Sequence, residues 1–241
     1  MSLYGNPFTQ YVVQISPSLS TERLARYRQA GADDRDIAIN YLWNMSLSES
    51  LYPSLHVLEI SLRNAIHTAA TAEFGTEYWF DTARLLRKRQ PDDIVKAKLN
   101  LARNNKPQTS GRIVAELSLG FWTTLLSSTY ELHFWRRNRY AILESAFPHF
   151  SSAPRALSLS QRRVYIHQQY NAIRTLRNRV FHFEPIWDYP NLSEQRAKIL
   201  DAIGWINPVL RDTVRRHDRF EMVLNHGRAE VEQTLDNWLD P

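Results

Sequence analysis

Residues 158–185 read SLSQRRVYIHQQYNAIRTLRNRVFHFEP, and this stretch decides the fold class. Leu159, Ile166, Ile173 and Val180 recur every seven positions, with Leu176 and Phe183 beside them. That spacing lays one apolar face along an α-helix. Ser158 and Gln161 have the form of a capping box at its start. Pro185 ends it, because the proline ring clashes with the carbonyl four residues back. The stretch predicts a long helix over residues 159–183.

Working outward, the same period returns in residues 50–74, where Leu55, Leu58, Leu62, Ile66 and Ala69 form a second stripe that stops at Gly75. Shorter helices are predicted over 21–30, capped by Ser20 and closed by Gly31, and from Asp33-Asp34 to Asn44. Another starts at Pro91, with Asp92 and Asp93 as favourable helix-start charge. Residues 104–111 read as a polar loop, 112–130 and 136–147 as helices, and 151–158 as a linker. Helices over 193–207, 208–217 and 228–239 follow. With only 7 glycines and few alternating runs, the expected fold class is all-α. Pro7, Pro17 and several serines predict an extended N-terminal arm over residues 1–20. Residues 21–241 are expected to form a single α-helical domain.

The chain has 241 residues, enough to bury a sizeable core. Its net charge is +5, and of its 30 basic residues only five are Lys. Arginine binds phosphate through a planar fork and stacks on flat rings, so a polyanionic partner is one reading; the coding bias of a GC-rich genome is the other. The absence of cysteine rules out disulfides, thiolate nucleophiles and cysteine-based metal sites. No signal peptide and no membrane span are expected, which predicts a cytoplasmic protein without membrane association.

The chemistry-bearing residues lie at the end of the first stretch. At about 100° per residue, Arg177 falls at the edge of the apolar arc centred on Ile173, Leu176 and Val180. A guanidinium there loses water and needs a partner; a carboxylate elsewhere in the bundle, or a snorkelled path to solvent, is the structural solution. His182 lies five residues on, about 140° away. The two side chains meet only if the helix loosens before Pro185, or if two such helices from two subunits cross and share a cleft. His182 near a helix end is suited to giving or taking a proton near neutrality, or merely to capping. Glu59, Arg63 and His67, four residues apart on the second stripe's helix, form either an exposed ion pair or a support that holds Arg177 or Arg63. Trp122, Trp135, Trp187 and Trp205 either stack on bases or fill the core. HExxH, a Gly-rich phosphate loop, GxSxG and an acidic triplet are all absent. The eight His are dispersed, so no metal site and no cofactor are expected.

The segment from Leu176 through His182 resembles the Arg-x(4–6)-His motif of HEPN domains. The wider pattern resembles the Abi-like (abortive infection) branch of that superfamily. It is carried by Tyr41-Leu42-Trp43-Asn44, by residues 56–65, by Glu116-Leu117-Ser118-Leu119-Gly120-Phe121-Trp122 and by residues 177–186, together spanning about residues 20–190. The resemblance implies a HEPN-like helical bundle with additional N- and C-terminal helices, often dimeric. It implies a metal-independent endoribonuclease used in phage defence or as a toxin, which leaves a 2′,3′-cyclic phosphate. On this chain His182 would be the general acid/base, Arg177 the phosphate ligand and Asn178 an orienting group. Glu59 and Arg63 would support the site, and Arg174 and Arg179 would bind RNA. The implied partners are RNA, a second copy completing a composite active site, and an antitoxin or other regulatory protein. Glu184 stands where HEPN toxins governed by nucleotidyltransferase antitoxins have a Tyr, which argues against that mode of control. The runner-up is a non-catalytic HEPN-like bundle that binds RNA or protein.

Overall fold

A computed structural model describes residues 6–151 and 156–239. All regular structure among them is helical, in agreement with the all-α expectation. The chain divides into two compact units: residues 1–53, 176–195 and 218–241, and residues 54–175 with 196–217.

The first unit opens with α1 (Pro7–Leu19), where an extended arm was expected. The reason is local. Asn6 Oδ1 accepts the Phe8 N–H at 2.8 Å, and Pro7 supplies a preset φ at the first helical position. Tertiary packing then holds the helix, because Phe8 is buried with Ala38, Ile39 and Leu235. Residues 1–5 of the predicted arm lie outside the described residues. After α2 (Thr21–Ala25) comes α3 (Asp34–Phe74), one helix where two were predicted. In its serine-rich middle the helix runs on, with the Ser46 and Ser50 hydroxyls donating back to the Leu42 and Leu47 carbonyls instead of drawing the backbone into a turn. A second core cluster gathers Leu24, Tyr27 and Ile37, with Tyr41 and Trp187 against it. The unit closes with α11 (Phe220–His226), which the sequence reading missed, and α12 (Ala229–Leu239). Arg35 grips Asp236 and Arg228 grips Asp36.

The second unit buries the predicted stripe Leu55, Leu58, Leu62, Ile66 and Ala69. Around it lie α4 (Gln90–Arg103), α5 (Ser110–Ala115), α6 (Leu119–Leu125) and α7 (Ala141–Ala146). Here the sequence predicted two continuous helices and the chain instead makes short turns. Asn138, Arg139 and Tyr140 all take positive φ, which no continuing helix permits. Trp79, Trp122, Phe134 and Trp135 are fully buried, with Trp79 and Phe134 rings 5.4 Å apart. The long helix α8 runs Leu159–Phe181, α9 Leu192–Ile206 and α10 Pro208–His217. The capping box of α8 is complete: Gln161 N–H donates to Ser158 Oγ at 3.3 Å, and Ser158 N–H to Gln161 Oε1 at 2.9 Å. Four residues of the predicted linker, 152–155, lie outside the described residues.

Candidate functional site

The end of α8 belongs to the first unit and is held by three anchors. The helix closes in a Schellman motif. Glu184 N–H donates to the Arg179 carbonyl at 2.8 Å and Phe183 N–H to the Val180 carbonyl at 3.2 Å. The left-handed position of that motif normally takes glycine; here Phe183 occupies it at φ 58°, an uncommon conformation for a bulky side chain. Arg23 of α2 donates to the Phe183 carbonyl at 2.7 Å. Arg179 donates through Nε and Nη2 to the Pro185 carbonyl, at 3.0 and 2.6 Å. Asn44 Oδ1 of α3 accepts the N–H groups of Ile186 and Trp187, at 2.6 and 3.2 Å, while its amide nitrogen donates to the Tyr27 hydroxyl at 3.2 Å. The Tyr27 phenol is pushed up to about 12, by burial first and then by Tyr41, so it stays a neutral acceptor.

This anchored turn exposes His182 and forms part of two clefts. One, of about 300 Å³, is lined by Ser20, Glu22, Arg23, Arg26, His182 and the 183–185 turn. The other, of about 810 Å³, is mainly apolar and includes Tyr52, Val180, Phe181 and Met45. Arg23 and Phe183 line both. Each cleft lies in the range of roughly 300–1,000 Å³ typical of ligand sites.

The predicted catalytic residues occupy different surroundings here. Arg177 lays its guanidinium over the Phe181 ring, 4.1 Å from the centroid, and is not part of either lining. His182 N–H still bonds the Asn178 carbonyl at 2.8 Å. The last turn of α8 is therefore not loosened, and that route for joining Arg177 to His182 is closed. Asn178 is exposed. Arg179, expected to bind RNA, has its guanidinium engaged on the turn, with the Tyr189 ring 5.4 Å away. Arg23 and Arg26 were not singled out by the sequence reading. Their signal, one arginine in a short helix and one just past its end, gains meaning only in the fold, where Arg23 reaches a carbonyl 160 positions along the chain.

The remaining predicted residues fall in the second unit. Glu59 Oε1 accepts the Leu119 N–H at the start of α6, and Arg63 donates to the Ala115 carbonyl at the end of α5. A carboxylate on a helix N-terminus and a cation on a C-terminus both suit the helix dipoles, so this pair shapes the α5–α6 corner. Arg174 donates to Asn171 at 3.0 Å. His67 takes the Trp79 indole N–H on Nδ1 at 3.0 Å, and its Nε2 lies 3.4 Å from Ser110 Oγ, whose proton goes to the Glu77 carbonyl. That arrangement fits the neutral ring protonated on Nε2. Trp122 and Trp135 are core, not base-stacking surface.

Burial holds the His67 imidazole below the usual histidine range. The unfolded chain therefore takes up this proton before the folded chain does. The resulting stability is present above about pH 6.5, the unfolded value, and is lost as pH falls from there through the folded value. Urea titrations at pH 7.5 and 5.5 should show a drop for wild type that is smaller for His67→Gln. An equal drop for both would remove His67 from the pH dependence.

Among the described residues no three His, Asp or Glu side chains converge as metal ligands, and no helix is long and apolar enough to cross a membrane. No family model, curated protein or solved structure matches the chain.

Proposed function

We propose that the chain is a metal-independent endoribonuclease of the HEPN type, acting in the cytoplasm in phage defence or as a toxin. The observation that carries this reading is His182, exposed just beyond α8, lining one cleft with Arg23 and Arg26. The chemistry those groups support is transesterification. The ribose 2′-oxygen attacks the adjacent phosphorus, the bond to the 5′-oxygen breaks, and a 2′,3′-cyclic phosphate and a 5′-hydroxyl result. His182 moves the proton at one of the two oxygens, and the arginines carry the charge growing on the phosphate. Arg177 enters from a second subunit, with Asn178 orienting it. An antitoxin or other regulatory protein is the expected partner beside RNA.

The stacking of Arg177 on Phe181 favours a second reading, in which the bundle binds RNA or protein without cutting. One experiment separates them. Purified protein is incubated with total RNA in EDTA, beside His182→Ala and Arg177→Ala. The expected result is cutting by wild type, cyclic phosphate ends, and rates lower by about 10²–10⁴-fold in both variants. Equal cutting by all three, or none by wild type at high concentration, removes the catalytic reading.

A further inference from the structure

The larger cleft shares Arg23 with the cleft just described, and the Arg177 guanidinium lies over Phe181 in its wall. Its walls carry Tyr52 and Phe181, whose rings stack with centroids 5.8 Å apart and planes 29° from parallel. Tyr52 of α3 is 52% exposed and Phe183 in the turn after α8 is 73% exposed, two large rings facing solvent. Phe183 is held there in a conformation suited to glycine, and strained residues of this kind concentrate at functional sites. Arg23 and Phe183 line both clefts. The charges nearby are partly neutralised. Glu184 lies 3.9 Å from Arg179 and Glu49 lies 4.0 Å from Arg219. Glu22 is the other carboxylate of the smaller cleft, set against Arg23 and Arg26.

We infer that the Tyr52–Phe181–Phe183 cleft receives an unpaired nucleobase of single-stranded RNA, with the attached phosphate on Arg23 and Arg26. This rests on RNA being the substrate. Two adjoining compartments, one flat and aromatic and one cationic, match the two halves of a nucleotide. Aromatic platforms beside a basic groove are the general means of holding single strands, because every base offers a flat face. Arg23 joins the halves, since it both carries charge and fixes the Phe183 carbonyl.

The test uses the full wild-type chain and a fluorescent 2′-O-methyl octanucleotide, which has no free 2′-hydroxyl to attack. Its counterpart keeps the sugar–phosphate backbone but lacks bases. The base-bearing strand should bind about 10-fold tighter or more. Tyr52→Ala and Phe183→Gly should each weaken it by about 5- to 100-fold while leaving the abasic strand's binding unchanged, and Tyr52→Phe should restore it. Glycine suits the left-handed position, so Phe183→Gly keeps the fold testable. Equal binding of the two strands overturns the inference, as does an unchanged affinity in both variants. It is also overturned if Tyr52→Ala abolishes self-association and not RNA affinity, which would make a second copy the occupant. Base-dependent binding without cleavage in EDTA sustains this inference and defeats the catalytic reading alone. Cleavage without base-dependent binding does the reverse.

Discussion

Mixing two inactive variants, His182→Ala and Arg177→Ala, is expected to restore RNA cleavage to about a quarter of the wild-type rate. Each variant alone lacks one group of the proposed site. Within one chain α8 stays regular to Phe181, and His182 N–H keeps its bond to Asn178, so the two side chains remain about 140° apart around the axis. The proposed two-fold dimer would remove that obstacle by setting Arg177 of one copy against His182 of the other. Random mixing makes about half of the dimers mixed, and each mixed dimer holds one intact site and one doubly damaged site. Cleavage is measured on the mixture after subunit exchange. Recovery absent from a mixture shown to contain mixed dimers would sink the shared site. So would light scattering that finds only monomer at concentrations where wild type cuts.

The largest expected loss of stability comes from Asn44→Leu. Asn44 is 4% exposed, and its single oxygen accepts two backbone N–H groups from the turn after α8. Leucine fills similar space but leaves both donors without an acceptor, Ile186 in a fully buried position. An orphaned buried donor costs roughly 1–3 kcal/mol, so the pair should cost about 3 kcal/mol or more, a sizeable share of a domain's total. Urea unfolding measures it, with Asn64→Leu, an exposed asparagine of the same helix, as the control expected to stay within about 0.5 kcal/mol. A shift as small as the control's would mean that the amide does not hold the turn. The same variant should impair cleavage, because the turn it releases carries His182.

The parts legible in the sequence are those that a single helix specifies for itself. The stripe and capping box of α8 and the stripe of α3 needed no information from elsewhere in the chain. Residues 112–147 were illegible because buried aromatics, not periodicity, set their path. Trp122, Phe134 and Trp135 turn inward from short helices, where the sequence read in line suggests two continuous helices over 112–130 and 136–147. Residues 7–19 were misread because Pro17 looked like a breaker, while the cap at Asn6 and the burial of Phe8 outweighed it. Phe183 was expected beside the apolar stripe, but it lies past the helix end and faces solvent. The candidate site was half legible. His182 and Arg177 stand out through the resemblance to the Arg-x(4–6)-His motif. Arg23 and Arg26 come to line a cleft with His182 only in the folded chain, Arg23 through a bond to Phe183 160 positions away, and such a contact leaves no local trace.

The first unit is assembled from three separated segments, and this has a consequence for the order of synthesis. Arg35 meets Asp236 across 201 positions, and Asp36 meets Arg228 across 192. During synthesis the second unit has all its residues once His217 has been added, whereas the first must wait for residues 218–239. At about 5–20 residues per second, that interval lasts seconds, during which α1 and the front of α3 lack the helix that covers them. Phe8, Ala38 and Ile39, which pack with Leu235, are the apolar surface left uncovered in that interval, and such surface is where a partly made chain is prone to aggregate.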